Sequence, residues 1–160
     1  MWWMTEADIV YCIAEVFRKN KWHCLFEWCF MDGGHCDLIA AKKNEKNIWI
    51  ECKWLRDYNF ERPNKKTSIA PDKLRESKKD IGRLQGIKGS RAYFVILVQL
   101  IRSEKNTGER LRKWLNSLGI DYETDGIKVN DKGGKSKIRQ GVQKEHLLFV
   151  VDAKKLRITQ

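Results

Sequence analysis

Residues 47–55 form an apolar run, NIWIECKWL, that is interrupted by two opposite charges, Glu51 and Lys53. Alternate residues of a β-strand point to opposite faces of the sheet, so this carboxylate and this ammonium leave the same face. A surface Glu–Lys pair on a sheet edge is common and contributes little energy. The apolar residues on both sides of the pair favour a more buried position.

The preceding segment, residues 36–41 (CDLIAA), also reads as a strand, and it brings Asp37 close to this pair. The polar residues 42–46 between the two strands have the length of a hairpin loop. If the hairpin folds about Asn44, Asp37 lies opposite Glu51 to within about one residue, and cross-strand neighbours are roughly 5 Å apart at Cβ. The sequence therefore predicts that two carboxylates and a lysine converge on one spot.

Two carboxylates that lie this close repel each other unless a proton or a cation sits between them. Hard divalent cations such as Mg²⁺ prefer oxygen ligands, and Mg²⁺ keeps several waters, which leaves room for a phosphate oxygen and a nucleophilic water. We therefore predict Asp37 and Glu51 as metal ligands, with the main-chain carbonyl of Cys52 as a candidate third ligand. Lys53 would orient the attacking water or offset the charge that develops on the phosphate.

These residues resemble the PD-(D/E)XK nuclease superfamily, which has the restriction-endonuclease-like fold and includes Holliday-junction-resolvase-like and restriction-type nucleases. The resemblance is carried by Asp37, a gap of 13 residues, and Glu51-x-Lys53 at the end of an apolar strand. The family core runs helix, strand, strand, strand, helix, strand, and residues 5–101 read in that order. Cys36 precedes Asp37, where the family pattern has proline.

The resemblance implies an α/β fold in a single domain, residues 1–160, with a mixed central sheet and flanking helices. The αβββαβ core would cover residues 5–101, and residues 102–160 would add a C-terminal helix and strand extension. Outside the hairpin, the sequence predicts a helix over 5–20, a strand over 22–30, a helix starting at Pro71, a strand over 91–101, a helix over 108–118, and strands around 120–129 and 146–152.

The first predicted helix carries another candidate ligand, Glu6. Thr5-x-x-Asp8 can cap the start of this helix, and Glu6 projects from its apolar face, whereas Glu15 lies on the opposite side. Members of the family often place a helix glutamate near the metal, so Glu6 is a further candidate metal ligand. An acidic residue is equally expected there because of the helix dipole. Glu27 either points outward or contributes to the acidic cluster.

Basic and polar side chains after the Glu51 strand are candidates for binding substrate. Basic residues interleaved with aromatic ones suit a phosphate backbone and an unstacked base, although solvated loops have the same composition. In this fold the helix after the lysine strand packs near the active site, which adds two residues of that helix, although a solvated helix edge also explains both. The candidates are Arg56, Arg62, Lys65, Lys66, Lys78 and Gln85.

The charge balance favours a polyanionic partner. There are 32 Lys and Arg residues against 21 Asp and Glu residues, a formal net charge of +11. Nucleic acid is the simplest such partner because binding releases counterions. We expect DNA, although charge does not discriminate DNA from RNA and a lysine-rich proteome would give the same excess. No apolar run approaches the length of a membrane span or signal segment, so we expect no membrane association and a cytoplasmic location.

Other chemistries find less support in the residues. The five cysteines are an odd number without a CxxC pair, which favours neither a disulfide framework nor a zinc ribbon. Gly134-Lys135-Ser136 imitates the end of a P-loop, but Val129 stands where its first glycine should be. A zinc site could be assembled in principle from His23, Cys24, Cys29, His35 and Cys36.

The resemblance implies a Mg²⁺-dependent endonuclease, with Mn²⁺ able to substitute, that leaves a 5′-phosphate and a 3′-hydroxyl. Asp37, Glu51 and Lys53 would be its catalytic residues. Because one site cuts one strand, a homodimer is a further expectation, with Trp2 and Trp3 as candidates for its interface. Two alternatives stay open. One is a nucleic-acid-binding module of the same fold that is inactive alone or depends on a partner, and the other is an RNA-directed nuclease.

Overall fold

The computed structural model describes residues 5–56, 69–100, 107–129 and 145–158. They form a six-stranded mixed sheet with flanking helices, which confirms the predicted α/β fold class. The elements in chain order are α1 Glu6–Lys19, β1 His23–Cys29, β2 His35–Ala41, β3 Ile48–Arg56, α2 Ile69–Gly86, β4 Arg91–Leu100, α3 Thr107–Asn116, α4 Tyr122–Asp125, β5 Gly126–Val129, β6 Glu145–Asp152 and a 3₁₀ turn Ala153–Lys155.

The strands lie in the order β1-β2-β3-β4-β6-β5. β3 and β4 pair in parallel, with Glu51 opposite Phe94, while the other neighbouring strands run antiparallel. A parallel pair needs a long crossover connection, and α2 lies within that connection. The αβββαβ order predicted for the core is therefore present, and β5 and β6 extend the sheet beyond β4.

The β2–β3 hairpin has the predicted register. Leu38 pairs with Ile50 and Ala40 with Ile48, so the hairpin is centred on Asn44. Asn44 has a φ of 65°, in the left-handed region that asparagine adopts more readily than most residues. Continued by one row, this register would set Asp37 opposite Glu51, but the ladder ends at Leu38 and Ile50.

The sheet is covered on both faces. One face packs against α2 and α3, through buried residues that include Leu55, Ile81, Leu84, Phe94, Leu111, Leu115 and Phe149. The other face packs against α1, through Ile9, Val10, Ala14, Leu38, Ile50, Cys52 and Val95. β3 contributes to both clusters. Any polar side chain near its middle is therefore shielded from water.

The start of α1 agrees with the capping box expected from Thr5 and Asp8. The Thr5 main-chain N–H donates to Asp8 Oδ2 at 2.6 Å, and the Asp8 main-chain N–H donates to Thr5 Oγ1 at 3.3 Å. This reciprocal pair satisfies helix donors that have no intrahelical acceptor. The cap fixes where the helix begins, and with it the position of Glu6 in the first turn.

Two predicted boundaries are wrong. α2 begins at Ile69, two residues before Pro71, so the proline lies inside the first turn, where its missing N–H has no helical acceptor to lose. The strand predicted over 120–129 is a strand only from Gly126, because Asp121 caps the short helix α4 by accepting from the main-chain N–H groups of Glu123 and Thr124.

Several sequence predictions fall outside the described residues. They concern Trp2 and Trp3, the candidate substrate residues Arg62, Lys65 and Lys66, and the glycine-containing basic stretch that includes Gly134-Lys135-Ser136. Among the residues that are described, no helix is long and apolar enough to cross a membrane.

The structure gives Gln85 a packing role in place of the substrate contact that we predicted. Its side-chain amide donates to the main-chain carbonyls of Ala153, at 3.0 Å, and Leu156, at 2.9 Å. The Lys154 ammonium also donates to the carbonyls of Ile87 and Ser90. These bonds fasten the turn after β6 to the end of α2.

Replacing Gln85 by alanine should therefore destabilise the fold. Loss of both hydrogen bonds to carbonyl groups predicts a decrease of about 1–2 kcal/mol in the free energy of unfolding, measured by urea denaturation. Lys79→Ala, at an exposed position of the same helix, is the matched control and should change stability by less than about 0.5 kcal/mol. Equal stability of the two variants would contradict the packing role of Gln85.

Candidate active site

Glu51 and Lys53 form a buried ion pair on β3. The Lys53 Nζ lies 2.7 Å from Glu51 Oε1, and the two side chains are only 9% and 6% exposed. The alternation along the strand places both on the face that packs against α2, as the sequence predicts. An ion pair this deep differs from a surface pair because water screens it little and each charge needs its partner.

Asp37 lies beside this pair, at the point where the β2–β3 pairing ends. Its Oδ2 accepts a hydrogen bond of 2.7 Å from the main-chain N–H of Cys52. The carboxylate thus takes the place of the carbonyl that a continued ladder would supply. Because the N–H and C=O of one strand residue point to the same side, the Cys52 carbonyl faces the side on which Asp37 lies.

Glu6 reaches the same end of β3 from α1. Its Oε2 accepts a hydrogen bond of 2.9 Å from the main-chain N–H of Trp54, two residues after Cys52. Where β3 extends past its last pair with β2, two carboxylates therefore satisfy its main-chain donors. Glu15 pairs with Arg18 on the exposed side of α1, so the choice of Glu6 over Glu15 as the inward residue is confirmed.

Both central carboxyl groups resist ionisation. Burial raises the pKa of Asp37 to about 6, with contributions from Glu6 and Glu27, against the Cys52 hydrogen bond and the Lys53 ammonium. Burial also raises the pKa of Glu51, and the nearby Asp37 adds to this effect. A positive charge placed between the two carboxylates would favour their ionised forms.

Lys53 is held in its charged form. Burial by itself would lower the pKa of Lys53, but the adjacent Glu51 and Asp80 carboxylates reverse that effect and raise it. Asp80 belongs to α2, and its Oδ2 lies 2.9 Å from the Lys53 Nζ. A side chain that stays protonated donates hydrogen bonds and cannot act as a base.

Sequence analysis missed Asp80 because it assigned Lys78 and Gln85 to the substrate side of α2 from their positions beside the apolar stripe. A better sequence signal for a residue that reaches the site was an aspartate, Asp80, next to an apolar residue of the buried stripe, with Arg83 three residues later. That apolar residue, Ile81, is fully buried. Arg83 and Asp80 do pair on one face of the helix, at 2.9 Å. Lys78 is half-buried on α2.

A groove of about 550 Å³ opens beside the carboxylates. Its lining residues are Glu6, Ala7, Val10, Tyr11, Phe26, Glu27 and Asp37. Tyr11 and Phe26 are 57% and 39% exposed, and the Arg18 guanidinium lies over one face of the Phe26 ring, 5.2 Å from its centroid. The groove therefore joins an acidic end to an aromatic wall.

Glu27 is exposed on β1, as the first of its two predicted positions requires, and it also adds to the acidic surroundings that raise the pKa of Asp37. The β1–β2 register places it across from Asp37, but the pairing skips this row. Its φ of 50° lies in the left-handed region, which a residue within a strand rarely adopts. The strand is therefore distorted at the residue that faces the candidate ligand.

Arg56 ends β3 and is half-buried, with its guanidinium 3.9 Å from the centroid of the Trp54 ring. A guanidinium stacked on an indole ring is attracted to its face, and this contact orients the Arg56 side chain. Among the predicted substrate contacts, it is the one that the structure places on the same strand as Glu51 and Lys53.

The oxygen donors here have the chemistry that magnesium prefers: the carboxylates of Asp37 and Glu51 and the carbonyl of Cys52. The described part of the chain contains no group of three or more His, Cys, Asp or Glu side chains arranged to hold a metal. This includes the five His and Cys residues considered for zinc. A magnesium site would therefore use two side chains, a main-chain oxygen and water, which is within the range that Mg²⁺ accepts.

The raised pKa of Asp37 predicts a specific pH dependence. Its contribution to stability is full below its ordinary pKa of 3.8 and is lost as the pH rises through about 6. Asp37→Asn cannot ionise, so in EDTA its stability relative to the wild type should increase from about pH 4 to about pH 6 and stay level above that, measured by urea denaturation.

The control for this experiment is Asp8→Asn. Hydrogen bonds from Thr5 lower the pKa of Asp8, so its ionisation stabilises the fold. The variant should lose stability relative to the wild type only as the pH rises toward the ordinary pKa of 3.8, and its relative stability should stay constant where that of Asp37→Asn increases. If the stabilities of the wild type and Asp37→Asn depended on pH in the same way, the pKa of Asp37 would not be raised by burial.

The PD-(D/E)XK pattern thus corresponds to three residues whose side chains are brought to one end of β2 and β3. No family model, curated protein or solved structure matches this chain. Membership of the superfamily stays a prediction from the residue pattern and the order of the elements.

Proposed function

We propose that this protein is a magnesium-dependent nuclease that hydrolyses phosphodiester bonds in DNA, as an endonuclease. The observation that carries the proposal is the buried Glu51–Lys53 pair beside Asp37, at the free end of two strands. A structural ion pair would not need a second buried carboxyl group whose pKa is raised. Acidic residues of this kind, with a charged lysine, suit phosphoryl transfer, in which positioning and charge do most of the catalysis.

Asp37, Glu51 and the carbonyl of Cys52 would hold the magnesium ion, with Glu6 as a further candidate through its place in the same groove. The bound ion would supply Lewis-acid activation of the phosphate and of a water molecule. Asp37 and Glu6 also fix the main chain of β3 through the N–H groups of Cys52 and Trp54. They thereby hold the Cys52 carbonyl at the site.

Lys53 contributes a fixed positive charge. Because it is protonated, it donates a hydrogen bond to the attacking water or to a phosphate oxygen, and it offsets charge that develops on the phosphate. The water oxygen would form a bond to phosphorus as the bond from phosphorus to the 3′ oxygen breaks; the water would release a proton to solvent, and the 3′ oxygen would take one up from solvent. The products are a 5′-phosphate and a 3′-hydroxyl.

The choice of nucleic acid rests on charge and on the groove. A net charge of +11 favours a polyanion by counterion release. Tyr11 and Phe26 offer aromatic faces next to Asp37, where a base beside the cut phosphate could stack. Mn²⁺ would replace Mg²⁺ because it accepts the same oxygen ligands. The homodimer and the cytoplasmic location stay predictions.

A second candidate function is a nucleic-acid-binding module of the same fold, inactive alone or dependent on a partner. It is favoured by the absence, within the described residues, of three clustered His, Cys, Asp or Glu side chains that could hold a metal. It is also favoured by the hydrogen bond from Lys53 to Glu51, because this bond occupies one of the two Glu51 carboxylate oxygens. Metal-dependent turnover by the purified chain discriminates between the two.

One prediction of the proposed function concerns cleavage of DNA. Lys53→Met retains the aliphatic chain in its buried place and removes only the ammonium, so cleavage of labelled duplex DNA in Mg²⁺ should fall about a hundredfold or more. Binding of the same duplex in EDTA should change little. Lys113→Ala removes an exposed lysine of α3 and is the matched control, with cleavage close to that of the wild type.

Single-stranded DNA, branched DNA and RNA belong in the same assay. Preference for RNA would replace the DNA assignment by the RNA-directed alternative. Tight binding without cleavage of any of the four substrates, in Mg²⁺ or Mn²⁺, would favour the binding module. Wild-type rates for Lys53→Met would remove Lys53 from the mechanism.

A further prediction concerns the metal in the absence of substrate. Mn²⁺ should bind the wild-type chain, counted by the loss of its free electron paramagnetic resonance signal, and Glu51→Gln should abolish this binding because it removes one charged ligand. At ten times its dissociation constant the ion should also raise the free energy of unfolding by about 1.4 kcal/mol.

Glu123→Gln, at an exposed position paired with Arg112, is the matched control for charge and should bind Mn²⁺ as the wild type does. Equal Mn²⁺ binding by wild type and Glu51→Gln would place the metal elsewhere or show that the signal is non-specific.

A further inference from the structure

We propose that Asp80 is a positioning residue that, as a second carboxylate beside Glu51, holds the Lys53 ammonium in place. This inference rests on the proposed nuclease function and extends it to a residue of α2. Lys53 Nζ lies between two carboxylates, 2.7 Å from Glu51 Oε1 and 2.9 Å from Asp80 Oδ2. The Asp80 side chain is only 12% exposed, so the contact is shielded from water.

One anion is a poor anchor for this lysine. The lysine stem has four rotatable carbons, and its ammonium is a point charge without a fixed geometry. If Glu51 were the sole partner, Lys53 would follow every movement of that carboxylate, including any turn of Glu51 toward a metal ion. Asp80 supplies a second anion from a different element. Lys53 can then keep its place while Glu51 contacts a cation.

Asp80 is itself held at both oxygens. Oδ2 binds Lys53, and Oδ1 accepts from Arg83 Nη1 at 2.9 Å. Arg83 Nε in turn donates to Asp32 Oδ2 at 2.8 Å, and Asp32 Oδ1 accepts from the main-chain N–H of Gly34 at 3.1 Å. A carboxylate bonded on both oxygens cannot rotate without losing a charge-assisted bond.

These contacts form one chain of alternating charge from β3 to the turn between β1 and β2. It runs Glu51, Lys53, Asp80, Arg83, Asp32. The guanidinium of Arg83 occupies the space where a Cβ on Gly34 would stand, so the turn itself limits where Arg83 can lie. The turn is thereby linked to the lysine through three ion pairs: Asp32–Arg83, Arg83–Asp80 and Asp80–Lys53.

The experiment compares single-turnover cleavage of labelled duplex DNA by wild type, Asp80→Asn, Lys53→Met and the double variant. Asp80→Asn preserves the shape of the side chain and removes its charge. We expect its maximal rate to fall about ten- to a hundredfold, with the DNA concentration at half-maximal rate unchanged. Asp72→Asn, an exposed aspartate of the same helix paired with Arg75, is the control and should cleave as the wild type does.

The double variant separates positioning from a merely structural role. If Asp80 acts through Lys53, the loss caused by Asp80→Asn should disappear when Lys53 is already methionine, because coupled residues do not contribute additively. Additive losses in the double variant would overturn the inference. An unchanged rate for Asp80→Asn, alongside a large loss for Lys53→Met, would overturn it as well, while leaving the nuclease function in place.

Gly34→Ala tests the same inference if Asp80→Asn does not fold. The added methyl group displaces the guanidinium of Arg83 and keeps every charge of the chain. We expect a several-fold fall in maximal rate that is also lost in the Lys53→Met background. A wild-type rate for a folded Gly34→Ala overturns the extension of the network to the turn. No cleavage by the wild-type chain would overturn the proposed function, and this inference with it.

Discussion

The burial of one lysine beside a glutamate determines most of what is unusual in this molecule. A charge removed from water costs several kcal/mol unless other charges and hydrogen bonds replace the solvent. Lys53 therefore requires Glu51 and Asp80, and Asp80 in turn is held by Arg83. Each partner comes from an element whose place in the fold is set by the apolar clusters. The charged site and the hydrophobic packing thus depend on the same strand, β3, which is covered on both sides.

The free end of β3 is the second determinant of the site. Pairing with β2 stops after Leu38 and Ile50, although β3 continues to Arg56. Main-chain donors that lose a neighbouring strand must find other acceptors. Here the acceptors are the carboxylates of Asp37 and Glu6, which serve Cys52 and Trp54. Asp37 and Glu6 are thereby held in the lining of the groove, because the main-chain N–H groups of β3 require acceptors. This placement of two carboxylates supports a metal site there.

The hairpin and its carboxylates were predictable because the underlying pattern is local. Alternation along residues 47–55 and a short polar loop centred on Asn44 are sufficient to predict the hairpin register that brings Asp37 beside Glu51 and Cys52. Asp80 was not predictable in the same way, since its contact with Lys53 depends on how α2 turns and where it crosses the sheet. Helix periodicity identifies the buried stripe but not the one flanking residue that reaches a strand. The start of α2 and the helix α4 were missed because capping by single side chains overrides a short apolar pattern.

The two faces of the sheet contribute to the site separately. α1 brings Glu6 from one face, α2 brings Asp80 from the other, and the hairpin supplies Asp37, Glu51 and Lys53 between them. These segments are distant along the chain, and such contacts form only after long loops have closed. A chain in which one helix has not yet docked carries an incomplete site with an unpaired buried charge. Assembly of the site therefore coincides with completion of the fold. Under the proposed function, a partly folded chain leaving the ribosome would have no complete centre with which to cut nucleic acid.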